Sequence, residues 1–165
     1  MQASPGAQNR LVSDAGRVGK RRKIVKAARR WEHFEHQADI GVRGIGPTPA
    51  AAFEEAAIAL NAVIAEPQRI RPRIRVAIRC ENENQELLFA DWLNALLLEM
   101  GARRMLFRRF AVRLAAPRLT AYAWGEPLDP PRHRPAVEVK AASYAGLRVA
   151  RQADGRWYAQ CIVDV

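Results

Sequence analysis

No stretch of this chain approaches the ~18–20 consecutive apolar residues that a membrane span requires. The longest contender, Leu87–Met100, is interrupted by Asp91, Asn94 and Glu99. Cysteine is nearly missing. Cys80 and Cys161 are the whole complement, too few for the disulfide framework of a small secreted domain or for a cysteine-rich metal site. Also lacking are a phosphate-binding glycine loop, a dinucleotide fingerprint, a His-Glu-x-x-His zinc motif and a serine elbow. A chain with no recognisable nucleophile or nucleotide cradle reads as an accessory protein rather than a stand-alone enzyme. What is present suffices for one core: 165 residues, 49% of them hydrophobic, make one domain's worth of chain. The expectation is a cytoplasmic protein without a membrane anchor.

Acid is what the N-terminus lacks. Residues 1–30 hold nine Lys or Arg against Asp14 alone, so +8 of the net charge of +10 sits there. The remaining 135 residues carry 18 basic and 16 acidic side chains. The segment is polar, rich in Gly, Ser, Gln and Arg, and has no apolar h-region. We expect residues 1–30 to be a disordered basic tail, with a single domain over 31–165. The run Lys20-Arg21-Arg22-Lys23 can reach RNA or a partner by charge alone.

After the tail the pattern is strand-rich. Trp31–His36 and Ile40–Ile45 read as short strands. Thr48-Pro49 reads as an N-cap followed by a first-turn proline. It opens a helix over Pro49–Ala65 whose stripe is Phe53, Ala56, Ala57, Leu60, Val63 and Ile64. Arg69–Arg79 alternates arginine with apolar residues at period two, which predicts an edge strand, with Pro72 barring a central position. Its arginine face is a weak RNA-contact candidate. Asn84 caps a second helix, Gln85–Gly101, with Gly101 as its stop. Met105–Leu114 and Leu119–Gly125 form a hairpin around Ala116-Pro117. A proline-rich loop covers 125–135. Val137–Ala150 and Arg156–Val165 form a last pair, joined by Ala153-Asp154-Gly155. The order predicts an α+β fold, two helices on a mainly antiparallel sheet.

Three groups of residues carry chemistry. His36-Gln37-Ala38-Asp39-Ile40-Gly41 sets an imidazole and a carboxylate between two strands, as metal ligands or proton-transfer groups. Asp164 and the Val165 carboxylate close the chain as given. Paired negative groups repel unless a cation or proton lies between them, and Mg²⁺, Mn²⁺ or Ca²⁺ takes such oxygen ligands. Glu138 and Lys140 share one face of a strand, followed by Tyr144.

These residues occur in an order that resembles the archeases. The carriers are His36-x-Ala38-Asp39-Ile40-Gly41, Thr48 before an Ala/Phe helix, and Leu87-Leu88-Phe89-x-Asp91-Trp92-Leu93-Asn94. Gly125-Glu126 with His133, Glu138-Val139-Lys140-Ala141, and the ending Ile162-Val163-Asp164-Val165 complete the set. The sequence departs from the family at Ala145, where a histidine often follows the tyrosine.

The resemblance implies a small α+β protein that assists a GTP-dependent tRNA-splicing RNA ligase. Such a protein promotes guanylylation of the ligase's own histidine and multiple turnover. It also implies a divalent-metal site (Mg, Mn or Ca) on Asp39 and Asp164, with Val165 alongside. His36 then ligates the metal or orients Asp39, and Lys140 pairs with Asp164 or meets a phosphate. Asp91 is expected to be structural. Two other readings stand beside this one. The first is a chaperone or specificity factor for a tRNA-modifying enzyme such as a methyltransferase. The second is a metal-dependent phosphohydrolase, which the lack of a paired base and nucleophile disfavours.

Overall fold

The computed structural model describes residues 28–165; the expected basic tail lies, for residues 1–27, outside them. The order is β1 (Arg30–His36), β2 (Asp39–Gly46), α1 (Pro49–Ile64), a 3-10 turn (Pro67–Arg69), β3 (Ile74–Glu81), α2 (Gln85–Arg103), β4 (Met105–Ala115), β5 (Arg118–Pro127), a one-turn helix α3 (Pro130–His133), β6 (Ala141–Ala142), β7 (Arg148–Arg151) and β8 (Trp157–Asp164). The fold is α+β and its strand pairs are antiparallel.

Two sheets form where one was expected. The larger runs β1-β2-β8-β6, with β7 also on β8; the smaller runs β3-β5-β4. Both helices pack against strands of both sheets, so the apolar layer lies between them. That explains why α1 is buried nearly all round, from Ala51 to Ile64, rather than along one stripe. Glycine permits the closest approach. A Cβ on Gly44 in β2 would lie 2.0 Å from the Ala52 carbonyl oxygen of α1. Trp92 of α2 donates its indole N–H to the Phe53 carbonyl at 3.1 Å, and the Phe53 and Phe89 rings meet at 5.0 Å.

The helix starts follow the sequence. Thr48 Oγ1 accepts from the Ala51 N–H at 3.1 Å, and Asn84 Oδ1 accepts from the Leu87 N–H at 3.0 Å. The α2 stop does not. The helix passes Gly101 and ends at Arg104, which takes the left-handed conformation (φ 51°, ψ 54°) and donates its N–H to Met100 O. Arg104 bears the cost of that conformation, about 1 kcal/mol, because the chain must reverse there into buried Met105, Leu106 and Phe107.

The expected strand Arg69–Arg79 begins only at Ile74, since Pro67 starts a 3-10 turn in which Ile70 N–H bonds Pro67 O. From Val76 onward the alternation holds, with Val76 and Ile78 buried and Arg75, Ala77 and Arg79 exposed, and β3 is an edge. The expected strand Val137–Ala150 survives only as β6 and β7. Between them Ser143 and Ala145 bond the backbone of Ile162, which interrupts the ladder.

Candidate metal and partner site

The β1–β2 hairpin turns in two residues, Gln37 and Ala38, with Gln37 at φ 56°. Its last pair is His36↔Asp39. On its other side β2 pairs β8 with Ile40↔Val163 as the terminal pair. One further step along that antiparallel ladder sets Asp39 opposite Asp164. Period two gives Asp39, Gly41 and Arg43 one face of β2, and Asp164, Ile162 and Gln160 the same face of β8. His36, Asp39 and Asp164 therefore form a row across three adjacent strands at one end of the large sheet. All three are exposed.

The neighbouring rows of the same face are tied across the strands. The Phe34 ring lies across Gly41, where a Cβ would meet it at 2.2 Å. The Arg43 guanidinium carbon lies over that ring, 4.5 Å from its centroid. Arg43 also bonds Glu32 at 2.6 Å and Gln160 at 2.8 Å, tying β1, β2 and β8 together. Two carboxylates in facing positions of a ladder repel. The donor set fits a hard cation that takes oxygen ligands and keeps part of its water shell. Among the described residues no three or more His, Cys, Asp or Glu side chains are gathered closely enough to hold a metal ion, so the candidate site rests on the two carboxylates.

The β6 position opposite Asp164 is Ala141, and Lys140 precedes it by one residue. Its backbone N–H donates to the Asp164 carbonyl at 2.8 Å. Its side chain lines a hollow with Asn94, Leu97, Leu98 and Glu138. Among the described residues no ion pair joins Lys140 to Asp164. Val165 follows the last strand residue and is 46% exposed. Asn94 fixes β6 by a two-way bond to Ala142, accepting its N–H at 2.9 Å and donating to its carbonyl at 3.1 Å.

The comparisons with known proteins bear on this site. The family model of the Archease protein family matches residues 31–165. The chain belongs to the archease family. It is 39% identical over 141 residues to the protein archease of Pyrococcus abyssi, covering 83% of this chain and 99% of that one. With the protein archease of Thermococcus gammatolerans the identity is 40% over 141 residues, with the same coverage. The solution structure of Methanobacterium thermoautotrophicum protein 1598 superposes with a TM-score of 0.72 at 26% identity, covering 82% of this chain and 98% of that one. The crystal structure of an archease, possible chaperone, from Thermotoga maritima shares the fold at 20% identity and a TM-score of 0.51, covering 81% and 96% of the two chains.

This archease also holds a buried ionic knot whose role the sequence did not disclose. Glu126, at the end of β5, is 4% exposed and His133 1%. Arg132 grips both oxygens of Glu126, the Arg71 N–H donates to Oε2, and His133 Nε2 lies 3.3 Å from Oε2. His133 Nδ1 accepts the Asp129 N–H at 2.9 Å, so the imidazole proton is on Nε2, facing the carboxylate. The Arg132 guanidinium above all, helped by the Arg71 N–H and His133, outweighs burial and holds Glu126 well below the ordinary carboxylate range, at about 2. The expected loop 125–135 thus becomes the end of β5 plus α3, closed on its own carboxylate. A proline-rich run hides this, because the contact with Arg71 spans 55 positions.

Asp91 accepts a bond from the Asn82 side chain at 3.2 Å, a structural link between α2 and the turn that leads into it from β3. Arg69 and Arg71 leave the arginine face that the sequence suggested. Arg69 pairs with Glu66 at 3.1 Å, and Arg71 serves Glu126. No helix among the described residues is long and apolar enough to cross a membrane.

Proposed function

We propose that this archease holds a divalent cation, Mg²⁺, Mn²⁺ or Ca²⁺, between Asp39 and Asp164, and with it activates a GTP-dependent tRNA-splicing RNA ligase by promoting the ligase's guanylylation and multiple turnover. The observation that carries the reading is the β2–β8 register, which sets the two carboxylates opposite each other at an exposed sheet end. A cation bound there supplies positive charge against nucleotide phosphates. Asp39 and Asp164 bind it as two oxygen donors with unfilled positions toward solvent, and His36 orients Asp39 or adds a third donor. Lys140, exposed and adjacent in the chain to Ala141, the residue opposite Asp164, either pairs with Asp164 before the cation binds or contacts a phosphate. The ligase supplies the nucleophile, in keeping with a family whose relatives are named as proteins or as a possible chaperone. The test is guanylylation of the cognate ligase with and without the protein, using Asp164→Ala beside wild type.

A second reading, a chaperone or specificity factor for a tRNA-modifying enzyme, draws on a different surface. An apolar hollow of about 630 Å³ lies between the end of α2 and residues 128–139, lined by Leu97, Met100, Leu128 and Val137. Under that reading Asp164→Ala keeps full function and substitutions in the hollow remove it.

A further inference from the structure

The outer face of the three-stranded sheet has a composition that neither the fold nor the acidic row requires. The register places Arg75, Trp124 and Arg109 in one row across β3, β5 and β4; Ala77, Tyr122 and Ala111 in the next; and Arg79, Thr120 and Arg113 in the third. Arg118, opposite Glu81, ends the face. Five arginines and one glutamate are therefore presented together. Among the described residues none of these five arginines is in an ion pair. Solvation alone does not call for this. Four of the five arginines lie on the edge strands β3 and β4, where charge also discourages edge pairing; that role does not account for Trp124 and Tyr122 on the central strand.

The aromatic pair is arranged for planar ligands. Trp124 and Tyr122 have ring centroids 5.9 Å apart. The guanidinium carbon of Arg109 lies 4.3 Å from the Trp124 ring centroid and that of Arg75 4.5 Å from the Tyr122 centroid, so each ring is paired with a cation. Tyr122 is 43% exposed. Its neighbours across the ladder are two alanines, whose small side chains leave a hollow of about 400 Å³ bounded by Ala77, Arg79, Ala111, Arg113, Thr120 and Tyr122. Stacking surfaces in the middle of a sheet with unpaired arginines on both flanks are what single-stranded nucleic acid binds. Bases stack on rings and guanidinium planes, while the arginines meet phosphates. A duplex keeps its bases stacked inward and offers nothing to Tyr122.

We infer that the β3-β5-β4 face is a binding platform for single-stranded RNA, reading two or three nucleotides by stacking at Tyr122 and Trp124, with Arg75 and Arg109 beside the rings, and by phosphate contacts from Arg79 and Arg113. The choice of RNA over DNA rests on the ligase reading. The surface itself does not, and it lies on a different sheet from Asp39 and Asp164.

The test is fluorescence anisotropy of a labelled 12-nucleotide single-stranded RNA with the full chain, over a salt series, with no ligase present. The basic N-terminal segment is the same in every variant, so differences between variants carry the result. Tyr122→Ala removes no charge and is expected to weaken binding 5- to 100-fold with the salt slope unchanged. The double variant Arg79→Ala/Arg113→Ala is expected to weaken binding at least tenfold and to flatten the slope by about 1.4. The charge-matched double variant Arg148→Ala/Arg151→Ala, on the other sheet, is expected to stay within about twofold. The inference is overturned if Tyr122→Ala binds like wild type, or if the two double variants weaken binding equally. It is also overturned if a duplex or an acidic peptide binds the face as tightly as the single strand, or if DNA of the same sequence binds more tightly. Because no ligase is in the assay, failure here leaves guanylylation untouched, and failure of guanylylation leaves this result standing.

Discussion

Asp39 and Asp164 close the same end of the β2–β8 ladder, one step beyond the pair Ile40↔Val163. Residues from opposite ends of the folded domain become neighbours because β8, the last strand, is inserted between β2 and the β6–β7 edge. Neither side chain is needed for the core, as both are exposed. Their substitution therefore separates binding from folding. Asp39→Asn and Asp164→Asn are expected to lower Mn²⁺ or Ca²⁺ affinity by at least about tenfold each, with unchanged thermal unfolding of the cation-free protein. Isothermal titration calorimetry paired with a thermal melt reads both.

The knot at Glu126 makes a pH prediction of definite sign. Its carboxyl lies at about 2, against an ordinary value of 4.5. A group lowered on folding stabilises the protein above its ordinary value, and that contribution is lost as pH falls toward the folded value. Denaturant unfolding is expected to show wild type losing stability between about pH 4.5 and 2. Glu126→Gln should lose about 2 kcal/mol at pH 7 and show a shallower acid decline. That cost is below the ~3–5 kcal/mol of a fully buried pair, because the Arg132 side chain is 30% exposed.

Gly44 is the point where α1 touches β2 most closely. A methyl group there meets the Ala52 oxygen and the Ala56 nitrogen at 2.0 and 2.2 Å, both backbone atoms. Helix and sheet must separate to admit it. Gly44→Ala is expected to cost about 3 kcal/mol, roughly a 10 °C drop in Tm. Gly101→Ala, where a Cβ meets nothing within 4 Å, is expected to be neutral or to stabilise α2 by a few tenths of a kcal/mol up to about 1. Thermal denaturation of the two variants side by side checks both.

Neither thiol is set up to react. Burial pushes Cys161 up to about 12. Burial, with the nearby Asp91 carboxylate, raises Cys80 to about 11. Under native conditions at pH 8 a thiol reagent is expected to label Cys161 only on unfolding, and Cys80 far more slowly than a free thiol. Both should label at once in denaturant.

Much of this arrangement was legible in the residues, for reasons that are local. Thr48 and Asn84 mark helix starts because their side chains cap N–H groups three residues on. The Val76–Arg79 alternation marks a strand because pleating is period two. The acidic row was reached through resemblance rather than pattern, since nothing in a sequence announces that positions 39 and 164 share a ladder end. What stayed hidden is non-local. The division into two sheets depends on β5 choosing β3 and β4 as partners. Glu126 acquires its role only when Arg71 and Arg132 converge on it. The arginines at 69, 71 and 73 continue the alternation in the sequence, yet Pro67 and Pro72 keep residues 69–72 off the ladder, and the first backbone bond to β5 is from the Arg73 N–H to Gly125 O at 3.1 Å.

The central claim is tested most directly by guanylylation of the cognate RNA ligase with GTP and Mn²⁺, run without this protein, with wild type and with Asp164→Ala. The account predicts stimulation by wild type that the variant loses while remaining folded. Equal stimulation by wild type and Asp164→Ala, or none by folded wild type, would contradict it.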